Sequence, residues 1–382
     1  MELLRNSVKN ISGGIDWLLV FFILPIISAG LVTMRSFTVD GDTGRYFSKQ
    51  IIWVVISLAV FFTFFFIDFR FLKRTPVLVF IFLFNTFILL TILIFGDVSH
   101  GAGRWFSFSG FSFQPADLTK LILVLILAKY FSRRHVEIRN PKHIFISGFY
   151  AFVPFVLVLF QPDFGSAMVI FFIWFGMVLV SGISKTHLFA IFIFGVFIFA
   201  SLWLFAFAPY QKARISNFLN PLADVRGSGY NAFQSTVAVG SGQIFGKGLG
   251  FGTQSRLKFL PEPETDFVFA AYAEEWGLVG SLTLLLLFSL IIWRVLYLSS
   301  LGASNFEILF GLGVAIFLAS HIIINIGMNL GLLPITGIPL PFMSYGGSHL
   351  LTEFAGLGIL ISMCRYARPV HRDDTKHEFL GA

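Results

Sequence analysis

The chain has 382 residues, 56% of them hydrophobic and 12% charged, with a mean hydropathy of +0.84. These values exclude an ordinary soluble globular domain and put the chain in the membrane class. Its single cysteine, Cys364, excludes an intrachain disulfide and a cysteine-based metal site, and its net charge of +7 raises nucleic acid as a partner, which the placement of the basic residues then argues against.

Residues 1–14 carry Arg5 and Lys9 with no clear small-residue cleavage site, and read as a cytoplasmic arm entering the first membrane helix directly. Roughly 20 apolar residues cross a bilayer. In chain order the candidate spans are 15–34, 51–67, 76–95, 118–131, 144–160, 164–182, 187–207, 267–293, 306–330 and 349–365. The fourth is short unless residues 115–118 begin it, and only Gln161-Pro162-Asp163 parts the fifth from the sixth. The expectation is an all-α polytopic membrane protein: one domain over 1–382, about ten transmembrane helices, and a tail at 366–382.

Ten crossings leave both termini on one side. That side holds fifteen Lys and Arg, from Arg5 to Lys376, against four in the short segments opposite: Arg35, Arg45, Lys49 and Arg104. Short basic loops stay in the cytoplasm, so both termini are placed there and no nucleic acid is needed to explain the charge. Three outward segments stand out: 96–117; 208–265, the large extracytoplasmic loop; and 331–348, rich in Gly and Pro and uncharged. Irregular backbone at membrane depth must be buried in protein or line a cavity.

The stretch FLPEPETDFVFA (259–270) crowds Glu262, Glu264 and Asp266 at the start of the eighth span. The plain reading is a helix start: an Asp in the first turn favours the dipole by about 0.3–1 kcal/mol, and Thr265 could cap. Spacing alone names no reaction.

Five motifs together say more. They are GRWFSFSGFSFQPADLTK (103–120), QPDFGSA (161–167), the run from Gly227-Ser228-Gly229-Tyr230 through Gln234-Ser235 to Gly246-Lys247-Gly248, the run Leu260-Pro261-Glu262, Thr265-Asp266-Phe267 and Glu274-Glu275-Trp276-Gly277, and PITGIPLPFMSYGGS (334–348). In this order, on this helix layout, they resemble the SEDS family (shape, elongation, division and sporulation; the RodA, FtsW and SpoVE proteins). NLGLLPITGIPLPFMSYGGS (329–348) is nearest the RodA branch. Three positions depart from the pattern: Asp117 where Glu is usual, His349 where a small residue is usual, and Glu264 where His is common.

The resemblance implies a peptidoglycan glycosyltransferase of the bacterial cytoplasmic (inner) membrane. Such proteins polymerise lipid II into β-1,4-linked glycan strands on the outer face during elongation and cell-shape maintenance. The implied partners are a class B penicillin-binding protein, lipid II and membrane lipids. The implied cofactor is a divalent cation, Mg or Mn, with no organic cofactor.

The chemistry suits one essential carboxylate. A sugar 4-hydroxyl is a poor nucleophile, and a positioned general base contributes typically ~10²–10⁴-fold. A diphosphate leaves without protonation once its charge is balanced, so the second acid of a glycosidase is not required. By motif, Asp266 is that base. Glu262 and Asp266 are the candidate cation ligands.

Asp117 and Lys120, at i and i+3, form either a local ion pair or a polar patch in a substrate cavity. Arg104, Arg214 and Lys247 either bind diphosphate or face lipid headgroups. Ser344 lies in an irregular loop as a candidate substrate contact without a nucleophile-elbow sequence. Glu274 and Glu275 are helix-packing acids or part of the site, and His321 and His349 read as structural.

A lipid II flippase is the alternative. It needs ionisable groups along the whole membrane path, whereas the acids here crowd the outer face. A non-catalytic scaffold would have no need of an intact Asp266 motif.

Overall fold

The computed structural model describes residues 16–37, 44–95, 97–99, 102–108, 111–133, 141–205, 209–220, 229–257 and 259–366. The expected N-terminal arm lies outside these residues, as does the tail beyond Tyr366. The side chains of Arg104 and Arg214 also lie outside what is described.

Thirteen α-helices form among the described residues. They are α1 Trp17–Ser36, α2 Gly44–Phe66, α3 Thr75–Phe95, α4 Pro115–Ser132, α5 Pro141–Phe160, α6 Phe164–Val180, α7 Lys185–Phe205, α8 Pro209–Leu219, α9 Tyr230–Ser241, α10 Thr253–Arg256, α11 Val268–Ser300, α12 Asn305–Asn329 and α13 Gly347–Arg365. Each of the ten expected spans falls on one of these helices. Seven of the helices (α1, α2, α3, α5, α11, α12, α13) contain a stretch long and apolar enough to cross a membrane. α6 is apolar but shorter, and α4 carries Asp117, Lys120 and Lys129.

Local signals set the helix starts. Asp16 accepts a hydrogen bond from the Leu19 amide at 2.9 Å and caps α1. Asp163 caps α6 through the Ser166 amide at 3.1 Å. α4 does begin at residue 115, because proline suits a first helical position whose N–H has no intrahelical partner.

The helix ends sort into two groups. At one end Arg294 Nη2 of α11 reaches Asp16 Oδ2 at 2.7 Å, Lys73 Nζ reaches Glu307 at 2.6 Å, and the Tyr366 hydroxyl donates to the Phe66 carbonyl at 3.0 Å. Arg294, Lys73 and Tyr366 lie in segments the sequence places in the cytoplasm, and Asp16, Glu307 and Phe66 lie near the adjoining ends of their spans. The other end gathers Ser36, Gln114, Asp163, Asp266 and the loop before α13.

Two features of this end were not expected. A three-stranded antiparallel sheet joins α3 to α4: β1 Asp97–Ser99, β2 Ala102–Phe108 and β3 Phe111–Phe113. Phe106 pairs with Phe113 and Phe108 with Phe111. The alternation Phe-Ser-Phe in 106–108 and again in 111–113 is the period-two signal of a strand. The long segment 208–265 is also no plain loop, since it contains α8, α9 and α10.

α11 is not one helix. Gly277 adopts φ 67°, ψ −162° and breaks it. The residues after the break, 278–300, extend about 34 Å at 1.5 Å per residue, which alone spans a bilayer core of about 30 Å. The preceding turns, 268–275, are buried in protein. A break leaves amides and carbonyls without helical partners. Here the segment 243–248 supplies them. Leu278 and Val279 amides donate to the carbonyls of Gln243 and Ile244, at 2.9 and 3.1 Å. Lys247 and Gly248 amides donate to the carbonyls of Glu274 and Glu275, each at 3.0 Å.

Gly277 is required twice over, by its positive φ and because a Cβ there would collide with the Gly246 amide nitrogen. Gly277→Ala should therefore lower the midpoint of thermal unfolding in detergent by several degrees, as expected for strain of at least 1–3 kcal/mol. An unchanged midpoint would mean that the break is not fixed by this pairing.

Candidate active site

Asp266 lies one residue before Phe267, the residue that opens α11, and no side chain caps that helix. The plain helix-cap reading therefore fails: Thr265 Oγ1 points back to the Glu262 carbonyl at 3.4 Å rather than into the helix. The Asp266 backbone is held from α12. Its carbonyl accepts from Asn325 Nδ2 and from Asn329 Nδ2, both at 3.1 Å. Asn325 and Asn329 are four residues apart on α12, so they share one face. Both are fully buried. Asn329 Oδ1 also accepts the Ala270 amide at 3.2 Å, and Ser235 Oγ of α9 donates to the Asn329 carbonyl at 2.9 Å.

Opposite lies the irregular segment 331–346. It is stitched to the acidic stretch residue by residue. The Tyr345 amide donates to the Glu264 carbonyl at 2.8 Å, and Ser344 Oγ donates to the Thr265 carbonyl at 2.6 Å. Ser344 Oγ also accepts the Leu340 amide at 2.8 Å, so this buried hydroxyl is committed to the loop. Gln50 Nε2 anchors the same turn at the Ser344 carbonyl, 3.0 Å away. Asn325 Nδ2 donates to the Ile338 carbonyl at 2.7 Å. A Cβ on Gly337 would stand 3.3 Å from Asp266 Oδ2, so the carboxylate lies close to this loop. Burial, with Tyr46 adding to it, pushes the Tyr345 phenol above its ordinary pKa and keeps it neutral.

Beneath this loop is a buried polar cluster. Lys120 Nζ lies 2.9 Å from Asp117 Oδ1 and 3.3 Å from His321 Nε2. Ser348 Oγ donates to Asp117 Oδ2 at 2.7 Å. His349 stands between two carboxylates, 3.7 Å from Asp117 Oδ1 and 2.9 Å from Glu353 Oε1. The two imidazoles lie 4.5 Å apart. Glu353 Oε2 accepts the amide of Phe342, a buried residue held at φ 60°. The cluster thus fixes the same loop from below. It is closed: none of these charged side chains is more than 4% exposed.

The other acids are also partnered. Glu274, fully buried, pairs with Lys247 Nζ at 2.8 Å and accepts the Gln254 and Ser255 amides at the start of α10. Glu275 Oε1 accepts the Gly250 amide at 3.0 Å and the Ser36 hydroxyl. These glutamates clasp the outer segment to the α11 break, and Lys247 belongs to that clasp. Glu262 is exposed, with φ 42°.

The structure therefore brings Asp266 and Ser344 together through Thr265, and Asp117 and Lys120 together in the cluster below. Lys247 sits in a separate ion pair. Arg104 and Arg214 are placed by backbone only, in β2 and α8. Sequence reasoning missed Asn325, Asn329 and Glu353 and left His321 and His349 outside the polar network. The available signal was position: Asn325, Asn329 and Glu353 are uncharged amides or an acid inside apolar helices, where polar groups must find internal partners. Among the described residues no three His, Cys, Asp or Glu side chains gather as a cation site.

A family model described as cell cycle protein, covering FtsW, RodA and SpoVE, matches residues 15–369. The chain is 35% identical over 363 residues to stage V sporulation protein E of Bacillus subtilis (strain 168), covering 92% of this chain and 98% of that protein. It is 38% identical over 279 residues to peptidoglycan glycosyltransferase MrdB of Escherichia coli (strain K12), covering 72% and 74%. Its fold matches a solved chain, from work on structural coordination of polymerization and crosslinking by a peptidoglycan synthase complex, with TM-score 0.78 and 30% identity over 92% of this chain and 99% of that one.

Proposed function

This chain belongs to the FtsW, RodA and SpoVE family of cell cycle proteins, and we propose that it polymerises lipid II on the outer face of the cytoplasmic membrane with Asp266 as general base. The observation that carries the reading is the mounting of Asp266. Two buried asparagines hold its backbone, and its carboxylate comes close to Gly337 of the irregular loop. Relatives named peptidoglycan glycosyltransferase support the reaction class.

In the reaction, Asp266 takes the proton from the 4-hydroxyl of the acceptor sugar as that oxygen attacks the anomeric carbon of the donor. Attack from the face opposite the leaving lipid diphosphate inverts the centre and gives a β-linkage from an α-linked donor. Asp266 and Glu262 are oxygen-only ligands of the kind that hard divalent cations accept alongside water and substrate phosphates. A Mg or Mn ion there would balance charge on the diphosphate. The likeness of 329–348 to the RodA branch supports a role in elongation and cell shape. The match to a chain of a synthase complex that joins polymerisation to crosslinking supports a class B penicillin-binding protein as partner.

The flippase reading gains one observation, the ionisable cluster around Lys120 within the bundle. Its closure counts against it, because a path for a charged headgroup must open to both sides. Purified protein, alone and with its transpeptidase partner, should convert lipid II and divalent cation into glycan polymer. Vesicles that scramble labelled lipid II while no polymer forms would replace the polymerase reading with the flippase.

A further inference from the structure

Residues 243–259 follow α9 and lead into the acidic stretch. Six of their large apolar side chains face outward: Ile244, Phe245 (82% exposed), Leu249, Phe251 (69% exposed), Leu257 and Phe259. The same stretch has no Asp or Glu, and it carries Lys247, Arg256 and Lys258. A water-solvated loop does not gather six exposed apolar side chains in seventeen residues, and a patch of this kind marks an interaction surface.

Two observations identify the partner. The first is continuity. This segment pairs with the break in α11, and just beyond the break α11 presents Leu278, Val279 and Leu282 outward, with Trp276 beside them. The apolar face of the loop thus runs into the surface of the membrane-crossing part of α11. The second is backbone satisfaction. Amides that lie close to hydrocarbon are favoured by protein acceptors. The amides of Gly246, Lys247, Gly248, Gly250 and Phe251 all have acceptors, in Gly242, Glu274, Glu275, the Glu275 side chain and Gly248.

We propose that residues 243–259 are a membrane-inserted anchor, with Phe245 and Phe251 among the acyl chains of the outer leaflet and Arg256 at anionic headgroups. The pattern is that of an interfacial element, apolar on one side and basic at its rim. Residues 260–266 continue directly from it, so the anchor holds the acidic stretch at headgroup depth, where the diphosphate of a lipid-linked sugar lies. That last consequence rests on the polymerase reading; the anchoring itself does not.

Site-directed spin labelling tests it. Cys364 is the sole cysteine and is buried, so Cys364→Ser gives a clean background. Labels go on Phe245→Cys and Phe251→Cys, with exposed Leu286→Cys in the middle of α11 as the lipid standard and a free water-soluble nitroxide as the water standard. The full chain is reconstituted in vesicles of zwitterionic and anionic phospholipid. Relaxation by oxygen is compared with relaxation by a water-soluble nickel chelate. Labels at 245 and 251 should group with 286, favouring oxygen. Grouping with the free nitroxide would overturn the anchor and leave the patch as a surface for a protein partner. This readout needs no enzymatic turnover, so its failure is distinct from failure of the polymerase reading.

Discussion

Asp266→Asn is expected to cut the rate of glycan polymerisation by about 10²–10⁴-fold, the usual contribution of a general base, at saturating lipid II. The same variant should keep its thermal unfolding midpoint. The reason lies in how Asp266 is held. Asn325 and Asn329 bind its carbonyl oxygen, which the substitution leaves in place. An amide of almost the same shape then faces Gly337. Asn329→Ala makes the opposite separation. It keeps the carboxylate but removes the bonds to the Asp266 carbonyl and the Ala270 amide, so both stability and rate should fall. Polymer yield from lipid II, read beside a melting curve for each variant, distinguishes the two. Normal polymerisation by Asp266→Asn would remove it as the base.

Lys120→Met should be the most damaging single change to the fold. Lys120 is 1% exposed and is the one ammonium in a cluster with two carboxylates, Asp117 and Glu353. Removing one partner of a buried ion pair typically costs about 3–5 kcal/mol, because the remaining charge stays desolvated. Low membrane yield and a strongly lowered melting midpoint are expected. Replacing both members by apolar residues of similar size removes the stranded charge, so Asp117→Leu with Lys120→Met should recover much of the lost midpoint. Equal midpoints for the single variant and the parent chain would show that the pair contributes nothing. The loop would also feel the loss, since the same cluster holds Phe342 through Glu353.

The positions of these residues show where sequence reading succeeds. Hydropathy is a property of consecutive residues, so the ten apolar segments and the sorting of basic loops were legible in the chain alone. The five motifs were legible because each is contiguous. Gln114, Asp163, Asp266 and Ser344 each sit in one of them, and the fold brings these motifs to one end of the bundle. The Asp117–Lys120 pair was legible too, being one helical turn apart.

What the chain alone did not reveal depends on distance in sequence. Asn325 and Asn329 meet Asp266 across about sixty positions. Ser348 and His349 meet Asp117 across more than two hundred. The break at Gly277 was hidden because a glycine in an apolar helix reads as a tolerated defect until segment 243–248 is seen filling the gap. Composition and contiguous motifs determined the membrane class and the apolar segments and singled out Asp266 as the candidate acid, since these depend on what each residue is. Only the tertiary structure decided how that acid is held and which charges pair, because buried polar groups must be satisfied by whatever the fold brings within hydrogen-bonding reach.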